Sequence, residues 1–362
     1  MTKPPTVLRR FPHWLLRLAC TGLLACLGAG PALAQEEPYK LRIVGGLAGV
    51  NQYVRHEEPF WTRELSRLSD GRFSADIVPF DRAGVPGAEM LRLMQLGVVP
   101  FGTVLMSSLS AQYPQYTAPD LPGLNPDMAA LRATVAAFRP YLEKDLREQH
   151  GIEALAIYVY PAQAIFCKQP LAQLADLAGR RVRVSSAAQA DFVGALGAVP
   201  VHRSFAETFQ SMESGGTECA ITGTMSGYSI GLYRTARYLY PMPVTWGLAI
   251  FGANQAAWNA LPPGLRALLR RELPKLESAI WAESERETAE GAACNSGGAQ
   301  CRQGGKGRMT VVPISPRDEH LRREIFESVV LKHWRQRCSV DCGAIWDQTI
   351  GPVLGTRATG GR

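Results

Sequence analysis

The chain has 362 residues, with 39 Lys or Arg against 32 Asp or Glu, a formal net charge of +7. Lys3, Arg9, Arg10 and Arg17 all precede the first acidic residue, Glu36, so removing residues 1–34 takes away four positive charges and leaves +3 on 328 residues. That balance excludes a nucleic-acid binder, which needs clustered cations on one face; the densest run, Arg180, Arg181 and Arg183, is a weak patch. The remaining length is enough for two domains, since single cores stop growing at roughly 250–300 residues.

The basic start leads into a short apolar run over 18–34 that ends Pro31-Ala32-Leu33-Ala34 before Gln35. A basic start, an apolar run and an A-x-A-like site make a cleavable secretory signal peptide. A membrane-spanning helix needs about 20 apolar residues, and this run is broken by three glycines and a proline. Leu23-Leu24-Ala25-Cys26 hints at a lipoprotein signal, but the residues after Cys26 are apolar rather than a polar tether. Export to the periplasm is therefore expected, and an oxidising compartment makes disulfides the default for the six cysteines that remain. Fifteen pairings are possible. Sequence proximity suggests Cys294–Cys301 and Cys338–Cys342, leaving Cys167–Cys219. A four-cysteine zinc site is the alternative, and the C-x6-C and C-x3-C spacings fit it poorly.

Residues 39–44 read as a strand, followed by a loop at Gly45, Gly46 and Gly49. The spacing of Val54, Trp61, Leu65 and Leu68 predicts a helix over 52–68 with those four on one face. Phe73, Ala75 and Ile77 alternate along a half-buried strand over 72–79. A helix over 87–96, a strand over 101–106, a long helix over 128–149 closing at His150-Gly151, and a β-rich segment over 152–160 follow. A second stretch repeats the rhythm: a strand over 182–184, a helix over 187–196, a helix opened by Ser204 with Glu207 as a capping box, and a strand over 218–221. Residues 222–227 read as a Gly/Ser/Thr loop, and 244–252 as one apolar strand returning to the first domain. A long helix is predicted over 262–291, with Leu265, Leu269, Leu276 and Ile280 in register. Pro274 should kink it, because proline lacks the amide donor and clashes with the preceding turn. Residues 291–308 hold six glycines and two cysteines and read as a surface loop. Ser315-Pro316 with Asp318 starts a last helix whose apolar face is Leu321, Ile325 and Val329. Short strands alternating with helices give an α/β protein.

Gly227-Tyr228-Ser229-Ile230-Gly231 fits the G-x-S-x-G nucleophile pattern, with His320 or His333 as base and Asp318 or Asp341 as acid. A serine hydrolase needs a strand running straight into that turn and a helix straight after it. The expected strand stops near Ile221, several residues early, and no H-G-G-G segment is present. Gly304-Gly305-Lys306-Gly307 lacks the strand–GxxxxGK[ST]–helix context of a phosphate cradle. There is no H-E-x-x-H metal motif and no G-x-G-x-x-G before a helix, so neither metal nor cofactor is expected.

A set of ordered motifs carries more. Asp176-Leu177-Ala178-Gly179 followed by Arg183-Val184 resembles the "D-L-x-G-x-x-x-R-V" strand entry of the substrate-binding proteins of TRAP (tripartite ATP-independent periplasmic) transporters, the DctP-like dicarboxylate-binding family. Gly87-Ala88-Glu89-Met90-Leu91 with Gln95-Leu96-Gly97, Tyr113-Pro114 with Asp120-Leu121-Pro122, Ala195 to Val201 with Phe205 and Glu207, and Trp258-Asn259-Ala260-Leu261-Pro262 resemble further segments of that family. The resemblance spans about 39–291. It implies a two-lobed periplasmic binding protein fold with crossing strands and a long connecting helix. Lobe I would hold 36–161 and 249–290; lobe II, 162–248 and 291–355. It also implies a small organic-acid ligand between the lobes, membrane subunits of the transporter as partners, and no catalysis. A sensing module on the same fold is the other use such a chain has.

In the family a strand arginine reads the ligand carboxylate, and the matching residue is Arg183; a guanidinium presents a planar fork that meets a carboxylate bidentately. Where the family commonly has an asparagine, this chain has Thr222, a departure that changes the hydrogen-bonding pattern on offer. Thr224, Ser107 and Ser108 are further polar candidates; Phe166, Phe205 and Trp246 are candidate apolar walls; Asn51 and Gln163 are weaker polar candidates.

Overall fold

The computed structural model describes residue 2 and residues 37–304 and 307–355. The expected signal peptide, and Gly305 and Lys306 of the glycine-rich loop, lie outside the described residues. Eleven strands occur among the described residues: β1 (Tyr39–Gly45), β2 (Phe73–Pro79), β3 (Phe101–Leu105), β4 (Ile152–Val159), β5 (Gln163–Cys167), β6 (Arg181–Val184), β7 (Val199–His202), β8 (Cys219–Gly223), β9 (Tyr238–Thr245), β10 (Leu248–Asn254) and β11 (Thr310–Val311). They form two sheets, ordered β2-β1-β3-β10-β4 and β11-β9-β5-β8-β6-β7. In the first, β1 runs parallel to β2 and β3, and β10 lies antiparallel between β3 and β4. In the second, β5 is antiparallel to β8 and β9, while β6 is parallel to β7 and β8. This is an α/β architecture with two sheets. Among the described residues no helix is long and apolar enough to cross a membrane.

Two short crossings carry the chain between the sheets, and the long helix carries it back once more. The first crossing is Tyr160-Pro161-Ala162, between β4 and β5; the second is Trp246-Gly247, between β9 and β10. The single strand expected over 244–252 is therefore two strands, one in each sheet. Both flanks are buried, so hydropathy gives no sign of the break. Its local mark is Gly247, which turns the chain at φ +79°, a region that side chains avoid. The two crossings are bonded to each other, Tyr160 N donating to Gly247 O at 2.9 Å.

The long helix runs Pro263–Ser296, unbroken through Pro274, and ends at left-handed Gly297. The expected stop at Gly291 is wrong for a packing reason. A Cβ there would stand 2.2 Å from Met225 N, so glycine lets the helix Thr224–Ser229 lie against the long one. The same contact overturns the loop expected over 222–227: those small residues are the end of β8 and a buried helix. Cys294, expected in a loop, lies inside the long helix and is bonded to Cys301. Cys338–Cys342 and Cys167–Cys219 are also bonded, the latter joining register partners of β5 and β8.

The expected helix over 52–68 forms in segments, Gln52–Glu57, Phe60–Glu64 and Leu65–Leu68. Its first two are wide turns, with Glu58 N bonding Tyr53 O and Leu65 N bonding Phe60 O. The wider pitch shifts the buried face. Val54 is 46% exposed, while Tyr53, Phe60, Trp61 and Leu65 are buried. Further on, Met128–His150 closes at left-handed Gly151 as expected, and Ser315 caps Pro316–Ile325 by accepting from Asp318 N. The apolar side of that last segment continues through Phe326, Val330 and Trp334 rather than Leu321 and Val329, which are half-buried.

Candidate ligand-binding site

A cavity of about 150 Å³ opens where the strand ends of the two sheets meet. Leu105 at the end of β3, Gln163 at the start of β5, Arg183 on β6, Thr222 and Gly223 at the end of β8, and Leu248 at the start of β10 all line it. Segments just beyond β1, β2 and β3 add Leu47, Phe80, Ser107 and Ser108. Such a crevice outside the carboxyl ends of strands is where open α/β folds bind ligands.

Arg183 is the electrostatic centre. Val182 and Val184 are buried on one face of β6, so alternation sends Arg181 and Arg183 to the other. The two arginines then differ. Arg181 is exposed and tied to Gly215 O, Gly216 O and Glu218, whereas Arg183 is only 3% exposed. Its Nε donates to Arg203 O at 3.0 Å and its Nη1 to Ile221 O at 2.7 Å. Among the described residues no carboxylate oxygen lies within 4.0 Å of the guanidinium. Burial lowers its pKa to about 10, with Glu207 pulling the other way, so it stays a cation at neutral pH. That depression corresponds to about 3 kcal/mol of unrelieved desolvation. Two carbonyls hold the fork in place, and its Nη2 side has no protein acceptor among the described residues.

A chain of amides fixes a second donor. Ser185 N can only donate, and it bonds Gln189 Oε1 at 2.9 Å. Gln189 Nε2 must then donate, and it reaches Gln163 Oε1 at 2.8 Å and Thr245 Oγ1 at 2.9 Å. Thr245 Oγ1 also donates to Gln163 Oε1 at 3.1 Å. Gln163 therefore keeps its oxygen toward this network and its Nε2 for the cavity. Among the described residues the hydroxyls of Ser107, Ser108, Thr222 and Ser226, all on the lining, have no protein partner. Phe80, Phe205, Leu47 and Leu105 supply apolar surface. Among the described residues no carboxylate or imidazole lines the cavity. The arrangement suits an anion at one end and a neutral body at the other.

Of the residues expected from the sequence, Arg183, Thr222, Ser107, Ser108, Phe205 and Gln163 line the cavity. Four stand elsewhere. Thr224 begins a helix and donates to Glu287 O and Thr288 O of the long helix. Phe166 is fully buried against Gly227, whose Cβ would fall 2.6 Å from its ring. Trp246 is buried with Nε1 donating to Asn125 O at 3.1 Å. Asn51 donates Nδ2 to Glu287 Oε1. The hydrolase residues do not form a triad. Ser229 is exposed at the last position of its helix, Asp318 accepts from Tyr240 and Leu174 N, His333 pairs with Asp191, and Asp341 caps Ala344.

Sequence reasoning missed Tyr160, Arg203, Ser185, Ser204 and Ser226 on the lining, and two acids near it, the half-buried Asp120 and the buried Glu57. Asp120 accepts from Trp246 N at 2.8 Å, Gly247 N at 2.7 Å and also Leu248 N, holding the second crossing. Glu57 Oε2 accepts from Gly46 N at 3.0 Å and Thr103 Oγ1 at 3.1 Å, while its buried Oε1 has no partner. Burial pushes each acid up to about 7 against the pull of these bonds. The segments after β1 and β2 were findable, since they follow the carboxyl ends of parallel strands.

The family model for bacterial extracellular solute-binding protein, family 7, matches residues 48–336. The chain belongs to this family. A solute-binding protein of Roseobacter denitrificans is 28% identical over 213 residues, 55% of this chain and 60% of that protein's own length. Among solved structures, DctP7 of Bordetella pertussis, an extracytoplasmic solute receptor binding pyroglutamic acid, superposes with a TM-score of 0.76 at 23% identity, covering 86% of this chain and 99% of its own. A TRAP periplasmic solute-binding protein of Shewanella oneidensis with bound succinate gives 0.73 at 17% identity, covering 86% and 99%. The family 7 chain thus has the two-lobed periplasmic binding protein fold.

Proposed function

We propose that this family 7 protein is the exported solute receptor of a TRAP-type transporter. It takes a small organic acid between its lobes, with the carboxylate on Arg183, and hands it to membrane subunits without transforming it. The lobes are 36–161 with 249–290, and 162–248 with 291–355, joined through the two crossings and the long helix. The observation that carries this reading is a buried guanidinium facing a cavity, held by two carbonyls and with no carboxylate within salt-bridge distance among the described residues. A ligand carboxylate supplies a counter-ion bidentately in a water-poor site. The pyroglutamate and succinate of the structural relatives are small carboxylates of this kind. The basic, apolar and A-x-A pattern of residues 1–34 supports export.

The test is a thermal-shift screen of the exported protein against small organic acids, pyroglutamate and succinate included, repeated with Arg183→Ala. A ligand that binds only the folded state raises Tm by mass action. A shift with a carboxylate that disappears in the variant is the expected result. No shift with any acid, or one indifferent to Arg183, overturns the proposal.

A further inference from the structure

Resting on Arg183 as the carboxylate anchor, we infer that the cavity selects a compact monocarboxylate with a neutral far end and discriminates against dicarboxylates. Among the described residues the lining contains one desolvated cation. Its other arginine, Arg203, is exposed, lies on the same side as Arg183, and spends Nη1 on His202 O at 2.8 Å. The facing wall, contributed by the first sheet, carries no charged side chain among the described residues. It offers the hydroxyls of Ser107 and Ser108, the ring of Tyr160, and the apolar Leu47, Phe80 and Leu105.

A serine hydroxyl satisfies an amide, keto or hydroxyl group by donating or accepting as needed. It gives a second carboxylate no counter-charge, and a buried anion without one is strongly disfavoured. The layer behind this wall works in the same direction. Glu57 is 1% exposed and lies next to Tyr160: a Cβ placed on Gly46 would be 2.5 Å from Glu57 Oε1 and 3.0 Å from Tyr160 OH. Negative charge on Glu57 repels a distal carboxylate across a poorly screening interior. The volume, about 150 Å³, is below the roughly 300–1,000 Å³ of sites for drug-sized molecules, which favours a ligand of few atoms. One end of the cavity attracts a single negative charge, and the other penalises a second, which is how selectivity is built by exclusion as well as attraction.

The experiment is calorimetric titration of the wild-type exported protein at pH 8, where both groups of a diacid are ionised. The ligands are matched pairs, succinate with succinamate and glutarate with glutaramate, plus pyroglutamate and other short monocarboxylates. Mono-amides that bind tenfold or more tightly than their parent diacids, or binding confined to monocarboxylates, are the expected outcomes. A diacid that equals or exceeds its mono-amide overturns the inference while leaving Arg183 as anchor. Silence across the panel removes the anchor reading itself, and the inference with it.

Discussion

Asp120 is half-buried and Arg183 buried, both are charged at some pH and both are bonded mainly to backbone, yet their bonding is complementary. The carboxyl of Asp120 accepts from three consecutive amides, at Trp246, Gly247 and Leu248. Arg183 has two of its donors on carbonyls, and the rest of its fork has no protein acceptor among the described residues. A filled bonding sphere leaves nothing to offer a guest, whereas a half-filled one beside a cavity keeps donors in reserve. The difference teaches that burial alone does not mark a binding residue. What marks it is burial together with unused, pre-positioned hydrogen-bonding capacity.

The largest effect that sharpens this contrast is on Asp120. Asp120→Ala strands three amides at a crossing and is expected to lower stability by about 3 kcal/mol or more, since each donor left unsatisfied costs roughly 1–3 kcal/mol, read by denaturant unfolding. Gly291→Ala pushes a methyl into the backbone at Thr224 and Met225 and is expected to lower stability by about 1–3 kcal/mol. Arg183→Met removes a desolvated cation and keeps bulk, so unfolding should shift by about 1 kcal/mol or less while carboxylate binding is lost. A large loss of stability in this variant would place Arg183 with Asp120 and break the comparison.

Glu57 yields a pH-dependent prediction. Its folded pKa, near 7, is raised from 4.5, so the folded state binds the extra proton between those values. Its contribution is fully present below pH 4.5 and is lost as pH rises through 7, a swing of roughly 3 kcal/mol. Glu57→Gln should therefore gain on wild type as pH rises from 5 to 8, seen as diverging Tm values. His56 and His150, both lowered by burial, drive the opposite slope, but equally in both proteins. The smallest effect belongs to Arg181→Ala, whose half-exposed partnership with Glu218 is worth about 0–1 kcal/mol. It should leave ligand affinity unchanged.

Much of the fold was legible in the sequence because apolar periodicity follows strands and helices wherever one face meets water. It failed where both faces are buried, as at Trp246-Gly247, and where small residues signal contact rather than a turn, as at Gly291 and 222–227. The site was legible mainly through resemblance. Alternation alone finds the two arginines on one face but cannot say which is buried. Thr224 lies off the cavity because the chain starts a helix after Gly223, which sends its hydroxyl to Glu287 O and Thr288 O. Phe166 sits on the core side of β5, and Asn51 is carried toward Glu287 by the segment of wide turns. The Ser185–Gln189 pair, Gln163 and Thr245 form a relay from three separate segments, so no local pattern contains it.

The long helix has a mechanical consequence. At about 1.5 Å per residue its 34 residues make a rod of about 50 Å. Toward its middle, Trp281 Nε1 and Ser284 Oγ are fastened to β4 through Ile157 O and Val159 O. Toward its end, Gly291 and Asn295 are fastened to the small helix after β8, with Asn295 Nδ2 on Thr224 O. One rod pinned to both sheets acts like the spine of a book. Sliding one cover past the other would tear that binding, because it breaks the bonds at Trp281, Ser284 and Asn295.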